Sequence, residues 1–352
     1  MAITRRDFGK TPKGNDVSIY TLSNSGGMEV QIMNYGGIIV SISVPDKNGN
    51  FDDIALGYDN LEGYIEQSKF FGALIGRHAN RIEDGIFEIN GVEHHLAKND
   101  GPNHMHGGVV GFDKVIWDAQ IIDEDKEQCL QLTYNSPDGE ENYPGNLDVT
   151  VTYSLTEDDE LKIDYHAVTD KDTVINLSNH SYFNLLGHDG GYIGNHELKL
   201  YADQFTAVDK DCLTTGEILD VDNTPFDFTE LSPIGVGLNS SHDQIESGGG
   251  YDHNWVLRDS NGTLERAAEL YEPTTGRMIE VFTTKPGIQF YSGNFLDGTE
   301  ACKEGVIYEK RSGLCLETQY FPNAMKHKHF PSPLLKAGDE YKHTTVYKFS
   351  SK

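Results

Sequence analysis

Two titratable residues, Glu317 and His180, lie in segments where a purely structural role suits them poorly. Glu317 is in the middle of residues 313–319 (GLCLETQ), and His180 is in residues 179–184 (NHSYFN). Both segments are predicted as apolar strands, and a carboxylate buried there without partners costs several kcal/mol. A carboxylate and an imidazole held in one cavity act as general base and general acid on a bound substrate. We therefore predict that Glu317 and His180 are catalytic.

Three predicted strands present polar side chains from an otherwise apolar background. Residues 174–183 alternate so that the face bearing His180 is polar but almost uncharged. Such a face suits a neutral, polyhydroxylated ligand, because a strand face toward solvent normally carries lysine or glutamate. Satisfied polar groups in the core are the alternative for any single residue, but they explain two titratable residues together less well. The residues on these polar faces are Asn176, Ser178, His180, Tyr182, Gln289, Tyr291, Cys315, Glu317 and Gln319.

Two further segments carry polar residues that suit ligand binding. Residues 76–82 (GRHANRI) offer Asn80 and Arg81, although a surface salt bridge explains such an arginine equally well. Asp252 follows the glycine-rich residues 247–250, which we predict to be a flexible hinge or site loop. Asp252 is expected to accept hydrogen bonds from ligand hydroxyl groups.

Histidine pairs occur at three places, and each raises the possibility of a metal site. None has an acidic or cysteine partner at a recognisable metal-ligand spacing, so we expect no metal. Neither a phosphate-cradling glycine motif nor a G-x-S-x-G motif is present. The pairs are His94 with His95, His104 with His106, and His327 with His329.

The composition limits the classes of partner. The chain has 352 residues and a formal net charge of −28 at pH 7. A chain this acidic repels nucleic acid and anionic membranes, so we expect neither as a partner. Its hydrophobic content of 37% suffices for a large core. We expect one domain over residues 1–352, because all-β sandwiches often run this long as a single unit.

Cysteine usage and targeting signals bear on the compartment. The 4 cysteines form no C-x-x-C pair and are typical of reduced, buried thiols. Arg5 and Arg6 resemble a twin-arginine signal, but residues 11–16 (TPKGND) are polar where such a signal is apolar. No segment approaches the roughly 18 apolar residues of a membrane span. We expect a cytoplasmic protein that is a monomer or a homodimer.

Alternation with a period of two dominates the chain and predicts an all-β fold. Residues 147–155 and 161–167 alternate apolar and polar side chains and predict a hairpin with one buried face. One short helix is predicted from Asn60 to Ser68, and β–α alternation is missing. We therefore predict a large antiparallel β-sandwich with few short helices. Further strands are predicted at 29–34, 38–44, 86–90, 129–135, 173–183, 265–272, 277–283, 287–292, 313–319 and 343–349.

Six blocks of sequence, in order along nearly the whole chain, resemble the aldose 1-epimerase family, also called galactose mutarotases. The resemblance implies the galactose mutarotase-like supersandwich, a sugar substrate, and no metal or organic cofactor. Met105 stands where the family commonly has leucine, a volume-conserving change. The blocks are residues 76–82 (GRHANRI), 106–114 (HGGVVGFDK), 179–185 (NHSYFNL), 251–254 (YDHN), 286–294 (PGIQFYSGN) and 316–324 (LETQYFPNA).

The resemblance also implies roles for single residues. His180 of the NHSYFN block is the general acid, and Glu317 of the LETQ block is the general base. Arg81 and His106 hold the sugar near the reacting centre, and Asp252 binds distal hydroxyl groups. The further positions expected to line the pocket are Asn80, Tyr182 and Gln289.

These roles fit the chemistry of mutarotation, in which a base takes the anomeric hydroxyl proton while an acid protonates the ring oxygen. Rotation about the C1–C2 bond then exposes the other face of the carbonyl, and reclosure reverses both transfers. With reference pKa values of about 4.3 and about 6.5, a glutamate and a histidine hold opposite protonation states between those values. We expect the cavity to widen this window, and we expect the two groups to flank one pyranose ring.

Three alternative functions remain open. Mutarotation of a hexose 6-phosphate requires a cationic cluster in the pocket, where Asp252 instead repels phosphate. A non-catalytic sugar-binding module keeps Asp252 and the aromatic residues but needs neither His180 nor Glu317. A glycoside hydrolase usually pairs two carboxylates, which a histidine acid matches poorly.

Overall fold

The computed structural model describes residues 2–66, 69–124, 127–259 and 261–352, without the side chain of Glu127. These residues are mostly β-structure, with 28 strands and short helices α1 (Leu61–Glu66), α2 (Gly235–Leu238) and α3 (Asp243–Gly248). None of the helices in the described ranges is long and apolar enough to cross a membrane.

The strands, in chain order, are β1 (Ala2–Lys10), β2 (Asp16–Ser23), β3 (Glu29–Met33), β4 (Ile39–Pro45), β5 (Phe51–Asp53), β6 (Leu74–Ile75), β7 (Arg81–Ile82), β8 (Ile86–Ile89), β9 (Val92–His95), β10 (His104–Met105), β11 (Asp118–Glu124), β12 (Glu127–Ser136), β13 (Leu147–Leu155), β14 (Glu160–Thr169), β15 (Thr173–Val174), β16 (Ser178–Asn179), β17 (Tyr182–Phe183), β18 (Glu197–Leu200), β19 (Ala202–Val208), β20 (Thr214–Asp220), β21 (Ser232–Pro233), β22 (Asp252–Leu257), β23 (Glu265–Tyr271), β24 (Arg277–Thr283), β25 (Gly287–Tyr291), β26 (Leu314–Gln319), β27 (Leu334–Leu335) and β28 (Glu340–Ser351). Short 3-10 turns occupy Glu83–Gly85, Phe112–Lys114, Glu140–Asn142, Ile193–Asn195 and Lys303–Gly305.

Three large sheets contain most of these strands. The first has the order β1-β2-β3-β4-β5, the second β11-β12-β13-β14-β28-β24-β23-β18-β21, and the third β17-β26-β25-β22-β19-β20. Their named neighbours pair antiparallel, and four two-stranded ladders supplement them. The predicted antiparallel, all-β class is therefore confirmed.

The nine-stranded sheet packs face to face against the other two, and the core lies between them. One apolar cluster takes side chains from all three sheets. Tyr347 of β28 shows the contact directly, since its ring packs against Phe183 and its hydroxyl donates a hydrogen bond to the carbonyl of Leu316. Burying one such large apolar side chain contributes about 1.5–3 kcal/mol. This packing is the predicted β-sandwich.

The predicted hairpin is confirmed as β13 and β14, which pair along their length. Along β14, every second residue is buried, as the alternation predicts. The turn between β8 and β9 has Asn90 and Gly91 both at positive φ, 53° and 79°, which is the backbone of a tight hairpin turn.

The prediction of a single strand over residues 173–183 is wrong. The segment instead forms β15, β16 and β17, which pair with β27, β6 and β26 respectively. His180 therefore lies in the link between β16 and β17 rather than inside a strand. Both its backbone groups are used, because its N–H donates to Ala73 and its carbonyl accepts from Gly72.

Two other local predictions are corrected. The glycine-rich residues 247–250 are not a loop throughout, because Ser247 and Gly248 end α3 and Gly249 caps it with φ at 63°. Asp252 is the first residue of β22 and is buried. The helix predicted from Asn60 to Ser68 is α1, and the last two predicted residues lie outside the described ranges.

Candidate active site

An open cavity of about 330 Å³ lies where β26 and β22 of the six-stranded sheet meet the short β7/β10 ladder. It brings together residues that are more than two hundred positions apart in the chain. Its wall is mixed, with aromatic rings and titratable groups side by side, as in sites for small polar ligands. The lining residues are Lys69, Phe70, Asn80, Arg81, Asp100, Met105, His106, His180, Tyr182, Asp252, Tyr291, Phe295 and Glu317.

Seven of the eight residues singled out from the sequence line this cavity. They are Asn80, Arg81, His106, His180, Tyr182, Asp252 and Glu317.

The imidazole of His180 and the carboxylate of Glu317 are neighbours. Nε2 of His180 lies 3.6 Å from Oε1 of Glu317, and both side chains are almost fully buried. This distance is longer than a direct hydrogen bond. The two groups lie side by side rather than across the width of a sugar ring. They suit two adjacent oxygens, such as the ring oxygen and the anomeric hydroxyl, which share C1.

Burial shifts the pKa of each group toward its neutral form. Desolvation lowers the pKa of His180 to about 4. Desolvation also raises the pKa of Glu317 well above its ordinary value, with Asp252 adding to the shift and Arg81 opposing it. The expectation that the cavity favours an ionised glutamate beside a protonated histidine is therefore wrong. Burial therefore favours the arrangement in which the proton shared by the pair lies on Glu317.

Aromatic rings fix the orientation of the His180 imidazole. The ring of Tyr182 stacks on it with centroids 5.1 Å apart, and Phe70 stacks at 5.8 Å. The ring of His106 meets it edge-on at 5.1 Å. These contacts leave few rotamers open to the imidazole, which pre-organises its nitrogens for proton transfer.

His106 is held by a tight backbone arrangement. Its ring Nδ1 accepts a hydrogen bond from the backbone N–H of Asn80 at 3.2 Å. The backbone N–H of His106 in turn donates to the backbone carbonyl of Asn80. The neutral ring therefore carries its proton on Nε2, which is free to donate to a ligand oxygen. A Cβ added at Gly107 would lie 1.8 Å from the carbonyl oxygen of Gly76, so this turn requires glycine.

Arg81 joins two carboxylates at one side of the cavity. Its Nε donates to Oδ2 of Asp100 at 2.7 Å, and its Nη1 lies 3.9 Å from Oδ2 of Asp252. Burial raises the pKa of Asp252, although Arg81 and Gln289 oppose the shift. The arginine therefore pairs within the cavity rather than at the open surface.

Gln289 does not line the cavity as predicted. It lies behind Asp252, to whose Oδ1 its Nε2 donates a hydrogen bond at 2.7 Å. Its own Oε1 accepts from Nε2 of Gln319 at 3.2 Å. Alternation places Gln289 on the same strand face as Tyr291 and opposite Glu317, but its amide is engaged by Asp252 and Gln319, so it orients a cavity residue from behind.

Sequence reasoning missed several lining residues. Phe70 has a positive φ of 59°, and no periodic pattern marks it. Phe295 is exposed and stacks on Tyr291, with centroids 6.1 Å apart. Lys69 contributes a cation, but its Nζ pairs with Asp297 at 2.9 Å. Among these missed residues, Tyr291 alone was indicated by the sequence, because it shares a polar strand face with Gln289.

A metal ion is conceivable from spacing alone. His106, His180 and Glu317 each offer one ligand atom, and these atoms lie within 4.8 Å of one another. Metal-bound histidine, however, donates its second ring N–H to an acceptor. In His106 the second nitrogen accepts a hydrogen bond from Asn80, so the ring proton occupies the nitrogen that a metal would need. The donor set therefore does not fit a metal ion.

Comparison with known proteins gives the same family along the whole chain. The profile of the aldose 1-epimerase family matches residues 18–348. The chain is 44% identical to the galactose mutarotase of Bos taurus over 352 residues, covering 99% of each chain. It is 36% identical to the aldose 1-epimerase of Escherichia coli K12 over 340 residues, covering 96% of each.

Solved structures agree. A galactose 1-epimerase from Lactobacillus acidophilus superposes with a TM-score of 0.86 at 29% identity, covering 99% of each chain. An aldose epimerase homologue from C. elegans gives a TM-score of 0.86 at 27% identity, covering 95% of this chain and 99% of its own. The fold, the shared blocks of sequence and the full-length identity agree that this chain belongs to the aldose 1-epimerase family.

Proposed function

We propose that this chain is an isomerase that interconverts the α and β anomers of free hexoses, with galactose and glucose as substrates, in hexose metabolism. The observation that carries the proposal is the approach of Nε2 of His180 to within 3.6 Å of Oε1 of Glu317 in an open cavity. The curated relatives are named as a galactose mutarotase and an aldose 1-epimerase, which agrees with this activity.

In the proposed mechanism, Glu317 accepts the proton of the anomeric hydroxyl while His180 donates a proton to the ring oxygen. The C1–O5 bond breaks, and C1 becomes the aldehyde of the open chain. After rotation about C1–C2, the C5 hydroxyl attacks the other face of the aldehyde, His180 takes that hydroxyl's proton, and Glu317 returns its own to the carbonyl oxygen. Each turnover therefore conserves the one proton that the pair holds.

The pKa shifts favour one of the two arrangements of that proton. Before ring opening the pair is carboxylate with imidazolium, and beside the open-chain sugar it is carboxylic acid with neutral imidazole. Burial favours the second arrangement, because it raises the pKa of Glu317 and lowers that of His180. The charged pair that begins ring opening is therefore the less favoured arrangement, and proton transfer to the sugar restores the neutral one.

The remaining cavity residues are proposed to bind the sugar. His106 donates from Nε2 to an oxygen near C1, and Arg81 stabilises negative charge that develops on oxygen during opening. Asp252 accepts hydrogen bonds from the distal hydroxyl groups. Asn80 and Tyr182 shape the pocket, Asn80 through the backbone that holds His106 and Tyr182 through the ring that supports His180.

The alternative functions fit the cavity less well. A phosphate would meet Asp100 and Asp252, and the cation Lys69 is already paired with Asp297. A glycoside hydrolase pairs two carboxylates, but the partner at 3.6 Å from Glu317 is the imidazole of His180, and the Asp252 carboxylate is held by Gln289 and lies near Arg81. A binding module gives no reason for a proton-transfer pair at all.

Polarimetry tests the proposal. Freshly dissolved α-D-galactose or α-D-glucose should reach the same final rotation faster with the protein than without it. Methyl α-D-galactoside, which lacks an anomeric hydroxyl, should show no change and release no methanol. Unaltered relaxation of both free sugars would refute the function, and methanol release would favour the hydrolase. Faster relaxation of a hexose 6-phosphate than of the free hexose, with a strong salt dependence, would favour the phosphate alternative.

We further propose that the enzyme works as one domain in the cytoplasm, as a monomer or homodimer, without nucleic acid or membrane partners. Cys212, Cys302 and Cys315 are buried free thiols, which suits a reducing compartment. The net charge of −28 disfavours polyanionic partners. Sedimentation at several protein concentrations distinguishes the two assembly states.

A further inference from the structure

Cys315 lies directly behind the candidate acid. Its Sγ is 3.5 Å from Nδ1 of His180, the nitrogen on the opposite side of the ring from Glu317. The side chain of Cys315 is fully buried. In the sheet it is placed opposite Tyr182 of β17 and Tyr291 of β25, so two aromatic residues flank it.

The tautomer of His180 links its contact with Glu317 at Nε2 to its contact with Cys315 at Nδ1. A neutral imidazole has one N–H donor and one acceptor nitrogen, and a thiol is both a weak donor and a weak acceptor. In the proposed mechanism His180 gives its Nε2 proton to the ring oxygen, so the neutral ring keeps its proton on Nδ1, which donates it toward Sγ. When His180 accepts a second proton at Nε2, Nδ1–H and its contact with sulfur remain unchanged.

A thiol differs from the usual partner of a catalytic histidine. A carboxylate at this place would stabilise the imidazolium and make His180 a weaker acid. A neutral sulfur fixes the orientation of the ring without that charge, so the ring protonates and deprotonates readily in each turnover.

We propose that Cys315 is a positioning residue, whose sulfur receives Nδ1–H of His180 and thereby presents Nε2 to Glu317 and the sugar. This proposal rests on the proposed role of His180. It names no new catalytic group, because Cys315 is not among the residues that line the cavity.

The test compares Cys315→Ala and Cys315→Ser with Cys302→Ala as the matched control. Cys302 is also buried and belongs to the same apolar cluster, but its sulfur contacts the carbonyl of Glu300 instead of a histidine. Polarimetry gives kcat and KM as functions of pH. Nitrogen NMR of histidine-labelled protein reports the tautomer, and the resonances lost in His180→Asn identify the ring.

We expect Cys315→Ala to lower kcat about tenfold with little change in KM, the effect of one lost hydrogen bond. The His180 nitrogen resonances should move toward a mixture of tautomers, and the acid limb of the pH profile should shift. Cys315→Ser should keep most of the activity, because its hydroxyl also accepts from Nδ1, while still moving the Nδ1 resonance. Cys302→Ala should change none of these.

Wild-type kcat, pH profile and His180 resonances in Cys315→Ala would overturn the proposal. Should that variant fail to fold, unchanged His180 resonances in Cys315→Ser would overturn it equally. Failure of the proposed function looks different. In that case the wild-type protein does not speed the relaxation of either free sugar, whereas the dependence of the His180 resonances on residue 315 persists.

Discussion

A single shared proton is the decisive feature at the scale of residues. His180 and Glu317 lie 3.6 Å apart, and burial pushes both toward neutrality. Interacting groups of this kind titrate as a pair, so their apparent pKa values belong to both. The catalytically competent state is the one with one proton in total, wherever that proton resides.

The pH dependence of kcat/KM follows from this state. Below a pH of about 4, His180 accepts a second proton and the pair can no longer act as a base, because the pKa of His180 is lowered to about 4. We therefore predict that kcat/KM is flat near pH 6.5 and falls only as the pH approaches about 4. Polarimetry across this range, with tryptophan fluorescence to exclude unfolding, measures it. An acid limb centred near about 6.5, the ordinary histidine value, would contradict the prediction.

The sequence could indicate these residues but not their protonation. Glu317 and His180 stood out because titratable groups interrupt apolar runs. The family blocks indicated Asn80, Arg81, His106, Tyr182 and Asp252. Phe70 and Phe295 had no such mark, because loop aromatics follow no period. Burial favours the proton on Glu317 rather than on His180, and the extent of this burial cannot be predicted from residue types alone.

At the scale of elements, the register of three neighbouring strands aligns the site. Gln289 of β25 pairs with Glu317 of β26 on one side and with Asn254 of β22 on the other. The side chain of Gln289 therefore reaches the Asp252 carboxylate at 2.7 Å. A shift of this register by one residue would turn these side chains to the opposite face of the sheet.

Replacing Gln289 tests the element-scale organisation. Gln289→Met keeps the volume but removes the donor to Asp252, and a hydrogen bond to a charged group contributes about 1.5–3 kcal/mol. We predict that KM for galactose rises about tenfold or more, with a smaller change in kcat, because Asp252 binds distal hydroxyls. Gln204→Met is the control, since Gln204 makes the same kind of bond to Asp220 on the surface. An unchanged KM in Gln289→Met would show that Asp252 needs no such support.

The element predictions failed where tertiary pairing overrides local pattern. Residues 173–183 alternate like one strand, yet three successive partners break them into β15, β16 and β17. The edge strand β1 was missed because it is largely exposed and carries no alternation. Strand β14 was predicted as residues 161–167 and spans Glu160–Thr169, because its one buried face imposes the alternation that the sequence shows.

At the scale of the whole molecule, the sandwich buries many histidines in neutral form. Desolvation is the first cause that lowers the pKa of each, to about 4 for His180 and His196 and to about 3 for His78, His253 and His343. Buried carboxyls shift the other way, with Asp113 at about 6 and both Asp252 and Glu317 raised. The histidines with lowered pKa are His78, His104, His106, His180, His196, His253 and His343.

These histidines predict acid sensitivity. Below a pH of about 6.5 these histidines are protonated in the unfolded chain but not in the folded chain. Each of them therefore lowers the free energy of unfolding by up to about 1.4 kcal/mol for each pH unit that the pH falls. The raised carboxyls oppose this but are fewer. We predict a lower thermal unfolding midpoint at about pH 5 than at about pH 7. His95→Gln, which removes an exposed histidine, should leave the difference unchanged. A midpoint equal or higher at the lower pH would contradict the prediction.

The antiparallel sandwich was predictable because it follows from the alternation of apolar and polar residues. The expectation of no polyanionic partner was likewise available, because it follows from the net charge. The layering of the sandwich was not predictable, because sequence patterns do not say which sheets face each other.

The most direct test is the turnover number of Glu317→Gln in α-D-galactose mutarotation, beside wild type and the control Glu272→Gln. Glu272 is also a buried glutamate, but it caps the backbone N–H groups of Thr274 and Thr275, away from the cavity. We predict that kcat of Glu317→Gln falls by at least about 100-fold, since proton transfer contributes about that much, while the control stays near wild type. A folded Glu317→Gln protein that turns over near the wild-type rate would show that the carboxylate carries no proton in this reaction.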